Sequence, residues 1–141
     1  MNDKPHVSLA VFPKINPDVL VDLTAEFASS LHRFDFVLDG LGTFPNQDNI
    51  LFLYPVPSIN LLQAHAEFHQ RLKLTHIENS HYYAPGNWVP HLTLEIGITT
   101  RELNKAIRIF RDKFIPISGQ FIQVGVVGFH PIIYIRHFDL Q

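Results

Sequence analysis

The chain has 141 residues, the length of one ordinary domain, and its hydrophobic content of 46% fills one core or two small joined ones. Twelve Phe, four Tyr, one Trp and a charged fraction of only 17% exclude disorder, and zero cysteines exclude disulfides, thiolate nucleophiles and Cys-ligated zinc. The formal charge of −2, with eleven Lys and Arg read as spread along the sequence, lacks the basic stripe that long duplex nucleic acid demands but leaves a small or short phosphorylated ligand open.

His6 to Phe12 alternates, is rich in β-branched and aromatic residues, and predicts a strand that stops at Pro13. Asn16 then caps a helix with Pro17 at its first position, running to about residue 32 with Val19, Leu20, Leu23, Phe27 and Leu31 at helical spacing. Phe34 to Phe44 predicts a second strand broken by Gly40 and Gly42, P-N-Q-D-N is turn chemistry, and Ile50 to Val56 predicts a third strand. Ser58 caps a second helix to about residue 73, with Leu61, Leu62, His65, Phe68, His69 and Leu72 on its inner side. A polar, aromatic loop over about residues 75–89 leads to a strand at His91 to Ile98. Thr99 and Glu102 have capping-box spacing ahead of a third helix, whose apolar face is Ala106, Ile107, Phe110 and Phe114. Gln120 to Phe129 and Ile132 to Phe138 close the chain as strands, so the predicted order is β-α-β-β-α-β-α-β-β.

An internal repeat runs beneath this order. His6 and His91 stand in matching frames, P-H-V-S-L and P-H-L-T-L, 85 residues apart, and F-V-L-D-G-L-G-T-F maps onto F-I-Q-V-G-V-V-G-F at the same offset. After a loop shorter by three, I-L-F-L matches I-I-Y-I. Two similar lobes follow, related by a pseudo-twofold.

In a strand, alternate residues share a face, so His6 with Ser8, and His91 with Thr93, point away from the core side taken by Val7, Leu9, Leu92 and Leu94. If the lobes face one another, two imidazoles and two hydroxyls converge in one cleft. That set suits a phosphodiester. One imidazole near neutral pH takes a proton from the attacking oxygen, its protonated partner supplies the leaving oxygen, and the hydroxyls bond the non-bridging phosphate oxygens without a metal. A lone strand histidine is most often structural; duplication of the frame in register is what favours catalysis here.

Other residues invite weaker readings. His65 and His69 stand at i and i+4 with Glu67 between, but the order H-x-E-x-H is not that of a zinc protease, and Glu67 points off their shared face. Packing or surface is the expectation for both. Tyr82, Tyr83 and Trp88 lie just ahead of the second frame and are candidates to stack a nucleobase, or else they anchor the loop against the core. His130 and Arg136 flank the last turn and strand; Arg136 could approach a phosphate, with an exposed charge as the plainer expectation. Gly40, Gly125 and Gly128 read as bulge or turn devices and not as a phosphate loop.

These residues resemble a known family. H-V-S-L and H-L-T-L, the stretch F-V-L-D-G-L-G-T-F-P, an I-L-F-L strand before the L-L-Q-A-H helix, and W-V-P-H-L-T-L look like the 2H phosphoesterase superfamily, closest to its 2'-5' RNA ligase and cyclic phosphodiesterase group, over nearly the whole chain. The resemblance implies an α+β fold: one domain over residues 1–141, with two pseudo-symmetric lobes (about 5–56 and 90–138) whose mainly antiparallel sheets flank a central cleft, helices outside. It implies enzymes that open 2',3'-cyclic phosphates, hydrolyse 2'-5' linkages or reversibly join RNA ends, usually without metal or other cofactor. His6 and His91 then carry catalysis, Ser8 and Thr93 bind phosphate, and the partner is a nucleotide or short RNA. Family members usually have a strand and a helix before the first frame, whereas five residues precede His6, so the first lobe is expected to be pared down, its uncovered edge met by a dimer contact or left as a more open cleft.

The N-terminus shows no apolar signal core, and no apolar run approaches the roughly eighteen residues of a membrane span, so a cytoplasmic protein, monomeric or weakly dimeric, is the expectation. The leading functional expectation is a metal-independent phosphoesterase. Its rivals are a non-catalytic module that binds RNA ends or a nucleotide in the same cleft, and a His-ligated metal protein.

Overall fold

The computed structural model describes residues 4–46, 48–129 and 131–141. Helix α1 spans Pro17–Ser30, strand β1 Phe34–Thr43, β2 Leu51–Pro55, α2 Ile59–Lys73, β3 Leu92–Glu95, α3 Thr100–Lys113, β4 Ile117–Phe121, β5 Gln123–Gly128 and β6 Ile133–Asp139. A short 3₁₀ turn at His81–Tyr83 interrupts the loop before β3. His130 lies outside the described residues.

The helix starts follow local chemistry. Asn16 Oδ1 accepts from the Asp18 amide and Pro17 fills the first turn of α1, Ser58 Oγ accepts from the Leu61 amide, and Thr99 with Glu102 forms the expected capping box. Those two bonds from the Thr99 amide and hydroxyl hold the Glu102 carboxyl below its ordinary range.

The strands form a four-stranded sheet, order β3-β2-β1-β4, and a two-stranded sheet of β5 and β6; the β1–β2, β2–β3 and β5–β6 pairs are antiparallel. The two hairpins keep a common register at their turn ends. Thr43 faces Leu51 and Gly42 faces Phe52, while Gly128 faces Ile133 and Val127 faces Tyr134, which are the positions the repeat offsets equate. Each hairpin also shifts register once, between Leu38 and Gly40 and between Val126 and Val127. At the foot of β1, Gln120 Nε2 donates to Asp35 Oδ1 at 3.1 Å, a bond between two residues 85 positions apart.

Two expectations are corrected. Residues 6–12 join no ladder: the strand predicted there needs a hydrogen-bonded neighbour, and the carbonyls of Leu9 and Val11 are taken instead by the His69 ring (2.9 Å) and the Ser80 amide (2.7 Å). The strand predicted over 120–129 is two strands. The chain changes partner at Ile122, whose carbonyl accepts from the Leu140 amide, so that β4 serves the first sheet and β5 the second.

The chain divides into two compact units, each assembled from three stretches: Met1–Ser8, Phe36–Pro57 and Pro90–Gly119 in one, Leu9–Asp35, Ser58–Val89 and Gln120–Gln141 in the other. These boundaries cut across the repeats, for α1 of the first repeat packs on β5 and β6 of the second, and on α2. Leu23, Phe27, Ala64, Phe68 and Leu72 form the second unit's core, ringed by Leu9, Phe12, Leu20, Phe34 and Val124. Phe27 is fully buried and meets Phe68 edge to face at 5.3 Å, so its ring contributes on the order of 3 kcal/mol. In the first unit, β2 buries Leu51, Phe52, Leu53 and Pro55. No helix of the described residues is long and apolar enough to cross a membrane.

Candidate active site

The polar pairs of both histidine frames fall in the first unit, His6 and Ser8 at the end of its opening stretch and His91 and Thr93 at the start of its last one. Thr93 lies on β3, paired with Phe52 of β2, and is exposed; His91 stands one residue ahead of the strand and is half-buried. His6 is exposed, and Ser8 is half-buried. His6 Nδ1 lies 2.9 Å from the Lys4 carbonyl oxygen. A carbonyl accepts only from N–H, so the proton sits on Nδ1 and the Nε2 lone pair is the basic one.

His91 is walled by aromatic rings. Phe44 stands perpendicular to it at 5.0 Å, Phe52 lies tilted at 5.2 Å, and the two phenyl rings meet at 4.6 Å. The D-G-L-G-T-F segment at the end of β1 accounts for this wall, because a Cβ on Gly42 would come within 2.5 Å of the Phe52 ring, and one on Gly40 within 1.7 Å of the Tyr54 ring. Only glycine lets those cross-strand rings lie over β1, and Phe52 reaches His91 from that position. Gly40 therefore does more than flank the register shift assigned to it from sequence.

The loop aromatics part company. Tyr82 is 79% exposed, Tyr83 is half-buried with its phenol pushed up by burial, and Trp88 stacks on His65 with parallel planes at 3.9 Å. One face of Trp88 is thus committed to anchoring the loop. Tyr82 meets the His81 ring at 6.4 Å in a T-shaped pair and otherwise stands in solvent.

His65 and His69 are both buried on α2, as the packing expectation had it, but their task is more specific than packing. The Nε2 of His65 donates to the Tyr83 carbonyl and that of His69 to the Leu9 carbonyl, each at 2.9 Å. A nitrogen that carries its proton into such a bond has no lone pair for a metal. Burial, reinforced by neighbouring His69 and outweighing the carbonyl bonds, lowers the pKa of His65 to about 4.

Arg136 lines a groove of about 380 Å³ with Asp18 and Asp22 of α1, a setting that repels phosphate. The cations are not evenly spread, contrary to the reading from composition. Five of the eleven Lys and Arg lie on α3, and Arg101, Asn104, Lys105 and Arg108 line one depression of about 540 Å³ along that helix. The run R-E-L-N-K-A-I-R-I-F-R-D-K shows the concentration once it is counted along a helix face. Among the described residues the one ion pair on α3 joins Arg111 to Asp112, at 2.8 Å.

The family model of the 2'-5' RNA ligase superfamily matches residues 2–130, and the chain belongs to that superfamily. A solved structure described as a phosphoesterase shares the fold, with a TM-score of 0.65 at 16% identity, covering 98% of this chain and 78% of that one. No curated protein matches the chain.

Proposed function

We propose that the protein is a metal-independent phosphoesterase of 2',3'-cyclic or 2'-5' phosphodiesters in a nucleotide or short RNA, with His6 and His91 as the acid and base and Ser8 and Thr93 as phosphate ligands. The observation that carries this reading is the presence of His6 with Ser8 and of His91 with Thr93, 85 residues apart in sequence, in one compact unit of a chain that belongs to the 2'-5' RNA ligase superfamily. His6 is the base in the hydrolytic direction, since its Nδ1 is engaged by Lys4 and its Nε2 is basic. The water oxygen bonds to phosphorus as its proton passes to His6. The bond from phosphorus to one ribose oxygen breaks, that oxygen takes the proton held by His91, and a phosphate monoester leaves. The hydroxyls of Ser8 and Thr93 donate to the non-bridging oxygens where charge accumulates. Tyr82 is the loop ring for stacking the base. The cationic face of α3 supports a ligand with flanking phosphates, a short strand in preference to a lone nucleotide.

The test is turnover of a nucleoside 2',3'-cyclic phosphate with a chelator present. His6→Ala and His91→Ala are each expected to lower kcat by roughly 10²- to 10⁴-fold. Undiminished turnover in both variants would remove the site, and loss of wild-type turnover on chelation would remove the metal-free mechanism. A second reading, a non-catalytic module for RNA ends, draws on the absence of a ladder for residues 6–12. It predicts a rise in Tm with a cyclic nucleotide and no product.

A further inference from the structure

We propose that His65 and His69 are positioning residues that set both histidine frames from a single helix face; the proposal rests on the phosphoesterase reading above. The chain passes from one compact unit to the other at Ser8–Leu9 and again at Val89–Pro90, one residue after Ser8 and one residue before His91. The second unit grips it beside both passages. His69 donates from Nε2 to the carbonyl of Leu9, the last letter of H-V-S-L, and the Ser80 amide holds Val11 two residues on. His65 donates from Nε2 to the carbonyl of Tyr83 and stacks flat on Trp88, three residues before His91. One turn of α2 separates the two imidazoles, which meet at 4.3 Å.

The tautomers are set by the surroundings. Asn79 Nδ2 donates to Nδ1 of His69 at 3.3 Å, which leaves the proton on Nε2, where the Leu9 carbonyl needs it. Both rings are buried, 4% and 3% exposed, so neither bond competes with water. A histidine kept merely to fill a core would not need to spend both Nε2 protons on the two stretches that lead into the proposed catalytic frames.

The side chain of Gln places an amide nitrogen close to where His carries Nε2, while that of Asn stops near Nδ1. His69→Asn and His65→Asn are therefore expected to lower kcat on a nucleoside 2',3'-cyclic phosphate roughly ten- to hundredfold, because reacting groups are misplaced. His69→Gln and His65→Gln restore most of that loss. Asn79→Ala, at a half-buried site, gives a smaller drop of about threefold by releasing the His69 tautomer. Equal impairment in Gln and Asn variants, or full kcat in the Asn variants, overturns the proposal. A readout free of catalysis separates it from failure of the functional reading: the imidazole NMR signals of His6 and His91 shift in the Asn and Asn79→Ala variants and return in the Gln variants. If wild-type protein turns over no cyclic phosphate, those signals still decide. Unmoved signals overturn the positioning role whatever the activity.

Discussion

Helices α1 and α3 are fourteen residues each, and the 85-residue offset places them within two residues of register, yet they have become opposites. α1 carries Asp18, Asp22 and Glu26 and no basic residue; α3 carries five Lys and Arg against Glu102 and Asp112, which makes the net charges −3 and +3. α1 buries Leu23, Thr24, Phe27 and Ala28, whereas no residue of α3 is buried, and its Phe110 and Phe114 stack on one another at 4.2 Å. The same divergence separates the paired strands, for β2 is buried at four of five positions while β6 is exposed at all but one. The offset keeps spacing and register at the two hairpin turns. The surfaces at matching positions differ, so that α1 supplies core and α3 supplies charge.

The comparison breaks first at the phenylalanines. Phe27→Ala is expected to lose about 3–5 kcal/mol in urea unfolding, and Phe110→Ala less than about 1.5, because a half-buried ring returns less surface to water. Equal losses would mean that α3 is packed as firmly as α1.

Acid should find the buried histidine next to that core. His65 has a folded pKa of about 4 against an ordinary value of 6.5, so its neutral form is the one the fold accepts. The unfolded chain takes up that proton first as pH falls, and the stability tied to the neutral ring, complete above pH 6.5, declines toward pH 4. At about 1.4 kcal/mol per pH unit the loss reaches about 2 kcal/mol by roughly pH 5. His65→Gln should flatten this slope, and a wild-type stability constant over that range would contradict the assignment.

The caps separate the helices more finely. Asn16→Ala should cost about 1 kcal/mol of global stability, since α1 is bound into the core. Thr99→Ala removes the bond the hydroxyl accepts from the Glu102 amide and the one it donates to Glu102 Oε2, leaves the bond from its own backbone amide, and unlocks a helix with little burial. Its effect is expected mainly as faster amide exchange in the first turn of α3, with a global change below that of Asn16→Ala.

These contrasts also mark what the sequence could say. Asn16, Ser58 and Thr99 announced their helices because a cap is settled within three residues of chain. The frames of His6 and His91, the repeat and the family were legible because motif and offset are counted directly. The strand at 6–12 failed because alternation describes a strand but cannot supply its neighbour. The break at Ile122 failed for the same reason, since the partner changes there while the sequence pattern does not. His69 read as packing because its carbonyl partner is sixty residues away, and Gly42 read as an interruption because the ring that lies over it comes from Phe52 on the next strand. These features depended on a partner elsewhere in the chain; the cationic run of α3 is the exception, written in consecutive residues from Arg101 to Lys113.

The smallest expected change in stability tests the charged copy most directly. Arg101 stands in the first turn of α3, where the helix dipole disfavours a cation, so that residue is placed against local preference. Lys105 and Arg108 follow on the same face, with rises of about 6 and 4.5 Å along the axis. Three positions of one sign with no ion pair among the described residues make a line suited to successive phosphates. Replacing Arg101, Lys105 and Arg108 together by Gln should leave stability within about 0.5 kcal/mol, relieving repulsion and the dipole conflict while forfeiting no burial. Binding of a short single-stranded RNA should respond quite differently. At about 0.7 per phosphate contact, the slope of log affinity against log salt should fall by about 2, while turnover of a lone cyclic nucleotide stays as in the wild type. An unchanged slope would leave α3 a merely solvated face, and the division of labour between the two helices would then be one of burial alone.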